Sequence, residues 1–190
     1  MQSFAKDIEN CLAVLTSGGL ILYPTDTIWG IGCDATNELA VKKIFELKHR
    51  AESKAMIILL SDEKEITRYV KSPDPEIVNY ISIASQPTTA IFENGMNIAD
   101  ELLSYHGTIA IRIVKDKFCA NLINEFGKPI VSTSANIAGQ PAPANFIEIN
   151  KKIKNGVDYI VQHRQDDFKA AKPSAIIKMN DERQIIIVRS

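Results

Sequence analysis

Lys48, Arg50 and Lys54 place three cations within seven residues, "KHRAESK". That density suits the several negative oxygens of a polyphosphate, with the guanidinium able to hold two of them at once. The same run also suits a solvated face behind a helix C-terminus, where the dipole favours cations in any case. A second segment, "STSAN" at 132–136, carries Ser132, Thr133, Ser134 and Asn136 without a charge. Hydroxyls and an amide at the end of an apolar run fit oxygens of phosphate, ribose or carboxylate, or else form a turn that caps the next segment.

A third segment, "PTDT" at 24–27, sets two threonines around Asp26 just ahead of Trp29 and Gly30, more polar chemistry than a turn requires. Arg112 interrupts the otherwise small and apolar "GTIAIRIV", and a guanidinium there must meet an anion or reach solvent. A carboxylate ligand and a structural ion pair both meet that demand. Thr108 falls on the same face of that strand, four residues earlier. Tyr23 and Trp29 read first as core aromatics and only second as pocket walls.

Other chemistries are missing from the sequence. There is no GxxxxGK[ST] phosphate loop, no GxGxxG fingerprint, no HExxH and no GxSxG elbow. His49, His106 and His163 sit in polar surroundings without a nearby Cys or Ser, so none is assigned an acid or base role. Cys11, Cys33 and Cys119 are odd in number and far apart, which argues against a disulfide framework and a zinc site and for a reducing, cytoplasmic setting.

Such residues need strands and helices to hold them. Phe4, Ile8, Leu12 and Leu15 recur at helical spacing until Gly18 and Gly19 stop the pattern, giving a helix that leads into the strand "LILY". The loop at 24–35 follows. Asn37 caps a helix through Lys48, and "AMIILL" reads as a strand buried on both faces. Further helices are expected over 61–70, 73–85, 116–127 and 145–156, and strands over 88–92, 107–114, 129–136, 157–161, 173–179 and 184–190. Strands alternating with helices, then adjacent short strands near the end, predict an α/β protein built on one mixed sheet.

At 190 residues, 45% hydrophobic and 24% charged, the chain has the composition of an ordinary globular domain. Twenty-two Lys and Arg against twenty-three Asp and Glu leave a net charge of −1, so no global field attracts nucleic acid, and any anion site must be local. No apolar run approaches the ~18 residues of a membrane span, and the start lacks a signal-peptide core. A single domain over 1–190 is expected, with no additional C-terminal domain.

Taken together, "YPTDTIWGIGCDA", "LKHRAESKAMIILL", "GTIAIRI", "GKPIVSTSANIAGQ" and "KPSAII" resemble, in order and spacing, the YrdC-like family of threonylcarbamoyl-AMP synthases over 18–177. The KxR run followed by SxN, with PT[DE]T ahead of both, is specific in combination. The resemblance implies a twisted α/β sheet with flanking helices and a concave, locally basic cleft. There ATP, L-threonine and bicarbonate or CO2 would become threonylcarbamoyl-AMP and pyrophosphate, with Mg2+ on the ATP. That adenylate feeds the N6-threonylcarbamoyl modification of adenosine 37 in tRNA through downstream transferase proteins. A nonenzymatic grip on tRNA or double-stranded RNA is the alternative that the same resemblance carries.

Residue by residue, the resemblance assigns Thr27, Arg112 and Ser132 to threonine. It gives ATP to Lys48, Arg50, Lys54, Thr108, Ser134, Asn136 and Ser174, with charge stabilisation by Lys48 and Arg50 and no acid–base residue or protein metal site. The chain departs from the family pattern at several points. "SQPTTA" stands for a "WPGPxT" segment, Lys54-Ala55 for an Asn-Pro pair, Leu59 for a histidine of some relatives, and Ala142 for a serine.

Overall fold

Apolar residues three and four apart wind two helices against each other. Ile8, Cys11 and Leu15 are the buried side of α1 (Ala5–Thr16), and Phe118, Cys119, Leu122 and Ile123 that of α5 (Lys117–Phe126). Phe4 meets Phe118 edge-on at 5.6 Å between ring centres. Asp116 starts α5 by accepting the Cys119 N–H, and Gly127, at φ 70°, stops it. Likewise Asn37 caps α2 (Glu38–Lys48) by accepting from Ala40, and His49 ends it in the left-handed region at φ 50°. Lys48 is therefore the last helical residue. The computed structural model describes residues 4–49, 56–169 and 172–190.

The strands are β1 (Ile21–Tyr23), β2 (Gly30–Gly32), β3 (Ile57–Leu60), β4 (Thr88–Phe92), β5 (Ile109–Ile113), β6 (Ile130–Ser134), β7 (Tyr159–Ile160), β8 (Ala175–Met179) and β9 (Ile185–Arg189). They form one sheet in the order β7-β1-β2-β6-β3-β5-β4-β8-β9. Pairs β1/β7, β3/β5 and β4/β8 are parallel and the others antiparallel, which is the mixed α/β sheet that the pattern of elements implied. Central strands β3 and β5 carry Ile58, Leu59, Leu60, Ile109 and Ile111 with 1% exposure or none, as strands covered on both faces should. Short helices α3 (Ile66–Tyr69), α4 (Pro75–Ile83) and α6 (Lys151–Asn155) fill the connections. Among the described residues no helix is long and apolar enough to cross a membrane.

Three elements differ from the sequence expectation. The loop over 24–35 contains β2, a strand too short to show alternation, whose Gly32 is required by contact. A Cβ there would lie 2.7 Å from both a ring carbon of Tyr23 and the Val131 carbonyl. The helix expected over 145–156 shrinks to 151–155. Asn145 accepts the N–H of Ile147 and Glu148, offering the backbone a turn in place of a helix, and Asn150 caps the remaining turn. Residues 61–70 form a 3₁₀ turn followed by a single α-turn.

Candidate active site

Proline fixes the chain after β1, and the "PTDT" turn that follows folds on its own hydroxyls. Thr25 Oγ1 lies 2.8 Å from the Ile28 carbonyl, accepts the Thr27 N–H at 3.0 Å and contacts Thr27 Oγ1 at 2.9 Å. Two outside groups pin the turn. Cys119 Sγ donates to the Pro24 carbonyl at 3.3 Å, and Arg164 Nη1 to that of Thr25 at 3.0 Å. Arg164 is itself held by Asp116 and Asp167, each at 3.4 Å.

Arg112 reaches this turn from β5. Its strand neighbours in register are Leu59 on β3 and Thr89 on β4. Only 2% of it is exposed, Nη1 donates to Thr27 Oγ1 at 3.1 Å, and Nη2 lies 3.1 Å from Asp26 Oδ1. The Asp26 contact has the distance of an ion pair without the alignment of a hydrogen bond. Asp26 Oδ1 and Arg112 Nε and Nη2 are accordingly buried with no hydrogen-bond partner among the described residues. Asp26 balances the charge of this buried cation, while two of its donors lack a directed acceptor, which costs stability.

The "STSAN" segment ends β6 facing the same space. Lys48 binds this segment from below. Its ammonium, with only 1% of the residue exposed, donates to the carbonyls of Ser134 and of Asn136, the latter at 2.7 Å, and lies 3.4 Å from Asn136 Oδ1. Ser134 Oγ donates to Asn136 Oδ1, while Asn136 Nδ2 holds the Ile137 and Gln140 carbonyls at 3.1 and 2.6 Å. The loop is thus closed on itself and on Lys48.

A cavity of about 380 Å³ lies between these segments, walled by Thr27, Arg112, Ser132, Ser134, Asn136 and Ser174. Six residues singled out in the sequence, from four distant segments, therefore meet. Ile28, Met56, Ile57 and Ile176 add an apolar wall of the kind a base or an aliphatic side chain packs on, and Ala142 stands at its edge. Lys48 does not line the cavity: the sequence made it a phosphate ligand, and the structure makes it the anchor of the Ser134–Asn136 loop. Thr108 also stands apart. Its hydroxyl donates to Ser104, and it lines a separate cavity of about 830 Å³ with Asp74, Lys178 and Arg183. Strand alternation gave Thr108 the face of Arg112, but it precedes β5 and belongs to the turn at Ser104. Arg50 and Lys54 lie outside the described residues.

One charged cavity residue, among those described, escaped the sequence reading. Arg189, on the edge strand β9, donates through Nε and Nη2 to the Ser174 carbonyl at 3.3 and 2.8 Å. Ser174 Oγ in turn pairs with Thr89 Oγ1 at 2.8 Å. Burial and the proximity of Arg112 both lower the pKa of Arg189 from the ordinary arginine value, so two cations repel each other across one space. Nothing in "QIIIVRS" except the arginine itself hinted at this. Among the described residues no three His, Cys, Asp or Glu side chains cluster as a metal cage.

The profile of the Sua5/YciO/YrdC family, described as telomere recombination, matches residues 13–190. This chain belongs to that family. A threonylcarbamoyl-AMP synthase of Stenotrophomonas maltophilia is 33% identical over 157 residues, 81% of this chain and 84% of that protein. E. coli YciO shares the fold with a TM-score of 0.82 at 23% identity, over 97% of this chain and 89% of that one. P. abyssi Sua5, solved in complex with L-threonine, gives 0.85 at 23% identity over 97% of this chain. This chain spans about half of that one, 54%.

Proposed function

We propose that this member of the family is a threonylcarbamoyl-AMP synthase, joining ATP, L-threonine and bicarbonate or CO2 and releasing pyrophosphate. The observation that carries the reading is Arg112, a buried guanidinium that lines one cavity with Thr27, Ser134, Ser174 and Arg189. Arg112 takes the threonine carboxylate, with Thr27 and Ser132 beside it. Ser134, Asn136 and Ser174 lie on the nucleotide side, joined by Arg189. Arg50 and Lys54 remain candidates for the phosphates on sequence grounds.

The residues present suit the chemistry. Threonine's amine captures CO2 as a carbamate with loss of a proton, and the carbamate oxygen attacks the α-phosphorus as the bond to pyrophosphate breaks. An anionic oxygen nucleophile needs no Ser-His or Cys-His pair to activate it, so positioning and charge stabilisation carry the step. Magnesium would arrive on the triphosphate, bound chiefly by phosphate and water, as is its habit. The product passes in the cytoplasm to proteins that place the threonylcarbamoyl group on adenosine 37 of tRNA.

The test is incubation of purified protein with ATP, bicarbonate and each of threonine, serine and valine, scored for pyrophosphate. Threonine-dependent release is the expected result. Its absence, together with salt-sensitive binding of RNA, would overturn the reading in favour of an RNA-binding protein of this fold.

A further inference from the structure

Two atoms carry the inference: the hydroxyls of Thr25 and Thr27. A threonine hydroxyl has one proton and two lone pairs. The Ile28 carbonyl, 2.8 Å from Thr25 Oγ1, has no proton, so the Thr25 proton must point there. With that proton committed, the 2.9 Å contact between the two hydroxyls requires the proton of Thr27. Arg112 Nη1 occupies one lone pair of Thr27. Thr27 therefore faces the cavity with one lone pair and no proton: it is an acceptor only.

We propose that Thr25 is a positioning residue that locks the Thr27 hydroxyl as an acceptor for the substrate's N–H. Neighbouring points of the cavity then have opposite polarity. Arg112 brings a positive charge to the cavity wall that suits a carboxylate, while Thr27 repels a carboxylate oxygen and accepts from nitrogen. Carboxylate and N–H side by side are the signature of an α-amino acid, and the assignment of that acid rests on the function proposed above. Thr25 is only 1% exposed and is not part of the wall of the cavity of about 380 Å³, and its carbonyl is fixed by Arg164, so its hydroxyl has a single orientation to impose.

The experiment compares wild type, Thr25→Ser, Thr25→Val, Thr27→Val and the double Val variant in pyrophosphate release, varying threonine and ATP separately. Thr25→Val should raise the KM for threonine about tenfold, the value of one well-made hydrogen bond, and leave that for ATP within about twofold. Thr25→Ser, which keeps the proton, should behave as wild type. In the Thr27→Val background Thr25→Val should add no further loss. Parallel rises in both KM values, failure of the serine variant, or additive losses would each overturn the proposal. Should Thr25→Val not fold, a wild-type KM in Thr27→Val overturns it equally. Calorimetric titration with threonine separates the two levels. Protein that binds threonine without turnover overturns the synthase reading alone, and the variants are then ranked by Kd. Protein that does neither overturns both.

Discussion

Replacing Lys48 by methionine separates a phosphate ligand from a structural anchor, because the two roles move stability in opposite directions. Methionine fills much of the same volume without the charge. Of the three oxygens now served by the ammonium, the Ser134 carbonyl keeps the Asn136 N–H and Asn136 Oδ1 keeps the Ser134 hydroxyl, so the Asn136 carbonyl is the one left without a donor among the described residues. One buried acceptor left unsatisfied costs about 2 kcal/mol, trimmed towards about 1 because an ammonium no longer has to be buried. For a domain of this size that lowers Tm by about 2–8 °C. Thermal unfolding followed by circular dichroism measures the shift. The loosened Ser134–Asn136 loop should also raise the KM for ATP. A methionine variant with unchanged or higher Tm and a raised KM for ATP would refute the anchor, since that is the pattern of a cation kept for its ligand at some expense in stability.

Arg112→Ala should weaken threonine more than ATP, measured as the ratio of the two KM changes, and equal losses would contradict its assignment. Arg189→Ala, on an edge strand, should raise the KM for ATP with a Tm change under about 2 °C. Thr108→Ala should leave both KM values within about twofold, because its hydroxyl serves Ser104 in a separate cavity. Burial pushes the thiol pKa of Cys11 up to about 12 and raises those of Cys33 and Cys119 as well. The folded protein keeps these protons while the unfolded chain loses them, so stability present below pH 9 falls as pH rises towards 12, which alkaline melts would register. Native thiols should correspondingly resist alkylation at pH 8 and react on unfolding.

Much of the site was readable because its chemistry is concentrated in short runs. "PTDT" and "STSAN" carry several hydroxyls at strand ends, and Arg112 stands out against an apolar strand, so type and position both marked them. Lys48 and Thr108 misled for the same physical reason: a side chain's partners are set by tertiary packing. A lysine at the end of a helix reads identically whether it reaches solvent or lies under a loop 86 to 88 residues further on, and here the Ser134 and Asn136 carbonyls decide. Arg189 was invisible because only the pairing of β8 with β4 brings it beside Arg112. Among the elements, long periodic ones such as α1, α2 and α5 were legible, whereas β2, three residues with glycine at both ends, carried no pattern to read.

The order of strands constrains when during synthesis the protein becomes competent. β6 inserts between β2 and β3, and β8 joins β4, so nearly every contact at the pocket waits on segments made much later. A nascent polypeptide still threaded in the ribosome can bury Ile58 and Ile111 early, yet Arg189, which joins Arg112 in the cavity wall, emerges only with β9. The cavity that Arg112 and Arg189 share is therefore complete only after β9 has emerged and paired with β8.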